Sequence, residues 1–247
     1  MINNSVKLKV IGCGDAFGSG GRLNTCYYVE AENVHFLVDC GASSLPGLKK
    51  HNLNVNDIDA VLITHFHGDH YGGIPFLLLD AAINGRQKKI QIISPHGGKG
   101  RIVALLDLLY PGTEVISKLN IEFLEYSNDV SLNTGDILVK PFEMKHTPKS
   151  LPHGLRIEVS GKVLAYSGDT SWTDALLPLS ESADLFICEC NFYDASVEGH
   201  MNYLGLLQRL PDFSYKRILL THLDQQMLDR VGQLDLQCLS DGMEVIF

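Results

Sequence analysis

The chain has 247 residues, is 45% apolar and carries a formal charge of −9. That length suits one large α/β domain or two small ones, and the apolar share excludes a disordered chain. The acidic balance argues against a surface built for non-specific nucleic-acid binding, which needs lysine and arginine to neutralise phosphates.

The N-terminus, M-I-N-N-S-V-K-L-K-V-I-G, shows no basic region followed by an apolar stretch and a small-residue cleavage site. No apolar run reaches the roughly 18–20 residues that a membrane helix needs. A cytoplasmic protein with no membrane partner is expected. Six cysteines (Cys13, Cys26, Cys40, Cys188, Cys190, Cys238) lie scattered in apolar sequence. The one-residue gap between Cys188 and Cys190 suits neither a zinc knuckle nor a redox pair, so buried reduced thiols are expected.

Short runs rich in Val, Ile and Leu recur along the chain, and the polar residues of interest follow them. Residues 6–11 lead into Gly12-Cys-Gly-Asp15, 34–38 into Asp39-Cys-Gly41, and 60–63 into Thr64-His65. Residues 137–144, alternating apolar and polar, end at Lys145-His146; 163–166 end at Ser167-Gly-Asp169-Thr170, and 217–220 at Thr221-His222. Such runs predict half- or fully buried strands. Helices are predicted between them over 44–51, 74–84, 100–109, 173–179 and 203–210. Sheets covered by helices follow, with functional groups on the loops at strand ends. Val61-Leu-Ile-Thr64-His65 is echoed by Leu219-Leu-Thr221-His222, as in two diverged halves whose strand ends face a shared cleft. Lys88-Lys89 and Lys99 with Arg101 read as a solvated face.

The segment T-H-F-H-G-D-H, Thr64 to His70, places three imidazoles and a carboxylate within six residues. A packed core would have to satisfy every one of those polar atoms, whereas borderline divalent metals want imidazole and carboxylate converging from a loop on a rigid strand. On an extended segment His65 and His67 point the same way, and Gly68 frees the backbone to turn before Asp69 and His70. Two ions sharing the cluster is the simpler geometry. Each then needs ligands from elsewhere, and His146, Asp169 and His222 stand at strand ends as candidates.

T-H-F-H-G-D-H-Y-G-G-I-P resembles the signature of the metallo-β-lactamase superfamily, in particular its phosphodiesterase branch containing ribonuclease Z. The opening I-G-C-G-D-A-F with R-L-N-T, then F-L-V-D-C-G, I-I-S-P-H-G, M-K-H-T, Y-S-G-D-T and L-T-H-L are similar to that branch's motifs in order, across nearly the whole chain. The resemblance implies a single domain over residues 1–247, α/β in class: a four-layer αβ/βα sandwich of two mixed sheets facing each other with helices outside. It further implies two metal ions, with His65, His67 and His146 on the first, Asp69, His70 and His222 on the second, and Asp169 bridging. Zinc is the first candidate; imidazole and carboxylate also accept manganese and iron.

The implied activity is hydrolysis of a phosphodiester by a hydroxide shared between the ions, with Asp69 orienting it as well as binding metal. His200 is similar in position to the family's additional histidine near the metals, the acid for the leaving alkoxide, and Glu189 is its candidate partner. The context E-G-H-M-N departs from the usual His-Ser-Thr, and the Glu-to-His interval is shortened. His35 and His51 read as ordinary surface positions, and His96 and His153 as solvated loop residues. Without a glycine- and lysine-rich arm, and with an acidic surface, a small phosphodiester or nucleotide fits better than a large RNA. Acyl hydrolysis of a thioester, lactone or β-lactam is the rival activity, and a metal-binding sensor the non-enzymatic one. A homodimer stays open.

Overall fold

The computed structural model describes residues 5–128 and 130–247. Residues 1–4, the start of the stretch read for a leader, lie outside the described residues.

In the first sheet, β1 (Lys7–Gly12), β2 (Cys26–Glu30), β3 (His35–Val38), β4 (Ala60–Leu62), β5 (Ile90–Ser94) and β6 (Ile121–Glu125) lie side by side. The second sheet holds β7 (Leu132–Asn133), β8 (Ile137–Glu143), β9 (His153–Val159), β10 (Lys162–Tyr166), β11 (Leu185–Glu189) and β12 (Ile218–Thr221). A last strand, β13 (Glu244–Ile246), returns to pair with β1. Both sheets change character midway. β13, β1, β2 and β3 are antiparallel neighbours, and β3 to β6 run parallel. Likewise β7 to β10 are antiparallel, and β10, β11 and β12 run parallel. The Thr-His echo therefore ends a parallel strand in each sheet, β4 in one and β12 in the other.

Alternation along the strands sorts side chains between layers. In β11, Leu185 and Ile187 join the core between the sheets, whereas Phe186 and Cys188 join the core under the helices. In β3, Phe36 and Val38 face the opposite sheet and Leu37 faces the helices. Helices α1 (Ser44–Lys50), α2 (Gly68–Tyr71), α3 (Ile74–Ile83) and α4 (Gly98–Leu109) accompany the first sheet. The second carries α5 (Leu176–Ser180), α6 (Tyr203–Arg209) and α7 (Gln225–Leu228). Three cores thus separate four layers, as the resemblance implies. Burying a Leu, Ile or Phe side chain contributes about 1.5–3 kcal/mol, so these layers hold the sheets face to face.

The six cysteines are free, and five of them are buried. Among the described residues no helix is long and apolar enough to cross a membrane. Lys88 and Lys89 form exposed ion pairs with Asp59 at 2.7 Å and Glu122 at 2.6 Å, a solvated face as expected. Arg101 is exposed as well, and its guanidinium lies 4.5 Å from the centre of the Phe66 ring, inside the histidine segment. His153 departs from the loop reading. It opens β9 and is buried, its Nδ1 against the Leu151 carbonyl at 2.8 Å. Helix α4 starts two residues before the expected 100, and α5 starts at 176 because Asp174 and Ala175 form a turn, with Leu176 N–H donating to Thr173 O at 3.1 Å.

Candidate metal centre

The parallel strands of both sheets end in one cleft. Asp39 follows β3, Thr64 and His65 follow β4, Asp169 follows β10, Glu189 ends β11, and His222 follows β12. This is where open α/β sheets place their sites, outside the carboxyl ends of strands. Asp39 and His222 both have positive φ, 59° and 61°, a backbone state that turns the chain sharply off its strand.

All seven expected metal ligands meet there. Donor atoms of His65, His67, His146 and Asp169 lie within 4.8 Å of one another, as do those of Asp69, His70, Asp169 and His222. In the first group His67 Nδ1 is 3.0 Å from His146 Nε2, and Asp169 Oδ2 is 3.8 Å from His65 Nε2 and 3.9 Å from His146 Nε2. In the second, His70 Nε2 is 3.4 Å from Asp69 Oδ2 and 3.3 Å from Asp169 Oδ1. His222 Nε2 is 3.2 Å from Asp69 Oδ2 and 3.4 Å from Asp169 Oδ2. A tetrahedral ion with bonds of about 2.1 Å holds its donors about 3.4 Å apart, so these spacings fit.

The cluster's own chemistry also asks for a cation. His65 Nε2, His70 Nε2 and Asp169 Oδ1 are buried and, among the described residues, make no hydrogen bond of good geometry, a costly state unless something else meets them. Burial and the neighbouring His70 hold His65 well below the usual imidazole range, which keeps its ring neutral, the metal-binding form. His70 goes the other way: burial would lower it, yet Asp169, Asp69 and Asp39 outweigh that and hold it well above. Burial would raise Asp169, but His222 and His70 hold it well below the carboxylate range. Three carboxylates around one imidazole form a negative hollow fitted to divalent charge.

A surrounding layer fixes the rings, much of it absent from the residues read in sequence. Asp39 accepts from His70 Nδ1 at 2.7 Å and from the Thr64 N–H and hydroxyl, each at 2.8 Å. Thr64 Oγ1 also lies 3.1 Å from His65 Nδ1. His146 Nδ1 donates to the Gly199 carbonyl at 2.8 Å, and the Asn191 amide nitrogen lies 2.9 Å from His222 Nδ1 while donating to the His222 carbonyl at 2.8 Å. With Nδ1 occupied in this way, His65, His70 and His146 turn Nε2 toward the cleft. Asp39 stands among the strand-end polar residues of the sequence, like Asp169, but outside the expected ligands; Asn191 and Gly199 carry no such signal.

Gly68 is not the glycine that permits the turn. Its φ is not positive, and a Cβ there would meet nothing within 4 Å. Gly41 and Gly73 are the tight positions: a Cβ on Gly41 would lie 2.1 Å from Asp69 O, and one on Gly73 2.1 Å from Gly41 O. The close seating of the 39–41 turn on the 69–73 segment requires both.

His200 stands at the edge of the cluster, its ring 4.9 Å from that of His146 and stacked 5.7 Å from that of His222. Its Nδ1 bonds Glu189 Oε1, and the other carboxylate oxygen of Glu189 accepts the Met201 N–H at 2.8 Å. Burial, then Asp169, pushes Glu189 well above the carboxylate range. The shortened interval is therefore enough to join Glu189 and His200.

The family model described as Anti-Pycsar protein Apyc1 matches residues 6–239. The chain belongs to that family. Among curated proteins it is similar to the probable metallo-hydrolase YhfI of Bacillus subtilis, 28% identical over 222 residues that cover 88% of this chain and 87% of the relative. It is also similar to a ribonuclease Z of Ignicoccus hospitalis, 24% identical and covering 89% of this chain and 88% of that one. The crystal structure of YhfI, a metallo-β-lactamase fold protein, superposes with a TM-score of 0.80 at 23% identity over 98% of this chain and 99% of the other. The short form of human tRNase Z superposes with a TM-score of 0.75 at 24% identity over 97% and 98% of the two chains. With the fold of YhfI and relatives among both metallo-hydrolases and ribonucleases Z, the chain is a metallo-β-lactamase superfamily hydrolase near the ribonuclease Z branch.

Proposed function

We propose that the chain is a metal-dependent phosphodiesterase with a site for two divalent ions, zinc in the first place, acting on a small phosphodiester or nucleotide. The observation that carries this reading is Asp169, shared between two four-residue donor groups with the His200–Glu189 pair beside them. His65, His67 and His146 would hold one ion, Asp69, His70 and His222 the other, and Asp169 both.

When bound, such ions supply a water-derived nucleophile at neutral pH and neutralise charge on the phosphoryl oxygens. The chain's own residues set the geometry and move protons. Asp69 turns Oδ2 toward His70 and His222, leaving Oδ1 to accept a hydrogen bond from the attacking water. His200, tied through Nδ1 to Glu189, offers Nε2 to the departing oxygen. As the new phosphorus–oxygen bond forms and the old one breaks, the electron pair left on that oxygen takes a proton from His200, and the products are a phosphomonoester and an alcohol. Relatives that carry the name ribonuclease Z support cleavage at phosphorus over cleavage at an acyl carbon. The formal charge of −9 supports a small substrate over a large RNA.

The test is one panel: protein with zinc or manganese, offered a nitrophenyl phosphodiester, a thioester, a lactone and a β-lactam. Turnover of the diester alone supports the reading. Turnover of an acyl substrate alone replaces it with acyl hydrolysis, and silence on all four with ions bound replaces it with a binding role.

A further inference from the structure

If His200 protonates the departing oxygen, the departing group must lie on the side of the cluster that His200 faces. A cavity of about 670 Å³ opens there, walled by the Lys145–Trp172 edge, residues 196–202 and helix α6. Its size is within the usual range for small-molecule sites, about 300–1,000 Å³. Trp172 is the chain's single tryptophan. It is half-buried, braced by the Phe213 ring at 5.5 Å and 72°, and the Arg209 guanidinium lies 4.8 Å from its ring centre. The guanidinium over the indole makes a cationic stack of the kind that packs on aromatic rings.

Charge in this cavity runs against that of the chain. Among the described residues the ion-pair partner of Arg209 is Asp212 at 3.6 Å; both side chains are half-exposed, so Asp212 competes weakly for it. Lys145 is exposed; its backbone is fixed by the Thr170 hydroxyl at 3.0 Å and by bridging to Ser171, and its amine has no ion pair among the described residues. Glu198 is the acidic group in the wall. Two cations against one carboxylate, in a chain of charge −9, mark a place for an anion.

We propose that this cavity is the leaving-group subsite, and that it takes a planar aromatic alcohol carrying an anionic substituent, stacked on Trp172–Arg209 with the substituent toward Arg209 and Lys145. The assignment of the cavity to a leaving group rests on the phosphodiesterase reading; its preference for a planar anion does not.

Trp172 makes the preference directly measurable, since its fluorescence reports this cavity alone. The full chain, both metal-loaded and chelator-treated, is titrated with 4-hydroxybenzoate, with phenol and with 4-hydroxycyclohexanecarboxylate. Saturable quenching by the first, at least about tenfold tighter than by either of the others and weakened in Arg209→Gln and Lys145→Gln, is expected. Equal response to all three probes, or none, overturns the proposal. In the kinetic arm, Arg209→Gln and Trp172→Leu should raise KM for methyl 4-carboxyphenyl phosphate about tenfold while kcat holds, and Arg209→Gln should raise KM for methyl phenyl phosphate less. Equal KM effects of Arg209→Gln on both diesters overturn the subsite. Selective quenching with no turnover of either diester keeps the planar-anion cavity and sinks the phosphodiesterase reading; turnover without quenching keeps that reading and sinks the cavity.

Discussion

Asp39 accepts the Nδ1–H of His70 at 2.7 Å, although 31 residues separate them and Asp39 lies outside both donor groups. Asp39 is fully buried, and its other bonds go to Thr64. In Asp39→Ala, the ring of His70 loses its anchor and Thr64 N–H loses its acceptor. Removing one partner of a buried charged pair costs about 3–5 kcal/mol, and removing the residue that orients a metal-bound histidine costs about 10–100-fold in ion affinity. Zinc calorimetry and chemical denaturation on this variant should show both losses; unchanged affinity would remove Asp39 from the site.

His67→Ala should retain the Asp69–His70–His222–Asp169 group and lose the other. Metal content should fall toward one ion per chain and turnover of the nitrophenyl diester nearly vanish. His96→Ala is the control, because His96 is exposed and its side chain bonds Glu125 at 2.8 Å, away from both donor groups. Full turnover with unaltered metal content in His67→Ala would contradict the assignment.

His200→Ala should keep both ions yet slow diesters with poor leaving groups more than those with good ones, by about 10²–10⁴-fold at the poor end. Glu189→Gln should show the same leaving-group dependence, more weakly, because its partner ring stays in place. A rate–leaving-group plot of unchanged slope in His200→Ala would exclude proton donation from this residue.

Glycine requirements separate the motif from the geometry. Gly41→Ala forces a Cβ to within 2.1 Å of the Asp69 carbonyl, so the two segments must part; about 1–3 kcal/mol of stability and tight ion binding should go with them. Gly68→Ala should fold and bind zinc normally, since its Cβ meets nothing within 4 Å. The reverse order of stabilities, measured by thermal melts with zinc present, would refute this account of the turn.

What was legible in the sequence follows from local chemistry. The 64–70 segment stands out because its polar density has no packing explanation, and His146, Asp169 and His222 because each ends a run of apolar residues. The strands at β5, β6 and β11 were less plain: β11, buried on both faces, lacks the alternation that marks a half-exposed strand. His153 reads as a loop residue in the sequence, where Pro152 precedes it; in the fold Leu151, at positive φ, turns the chain so that β9 opens at His153 itself. Asp39, Asn191 and the Trp172–Arg209 pair act across segments 31 to 37 residues apart, and only the folded arrangement brings them to their partners.

Stability should depend on the ions. Among the described residues His65 Nε2, His70 Nε2 and Asp169 Oδ1 make no hydrogen bond of good geometry, and an ion would meet all three, so chelation should lower the melting temperature and zinc should restore it. At a free ion concentration about 100 times the dissociation constant, the gain is about 2.7 kcal/mol per site. A melting temperature indifferent to chelator would mean that ions bind weakly or elsewhere.

Anomalous diffraction from zinc-soaked crystals would locate the ions themselves. Two peaks are predicted, one among His65, His67, His146 and Asp169, the other among Asp69, His70, His222 and Asp169, with Asp169 touching both. Peaks outside these groups, or His146, Asp169 or His222 displaced from the 65–70 segment, would contradict the account.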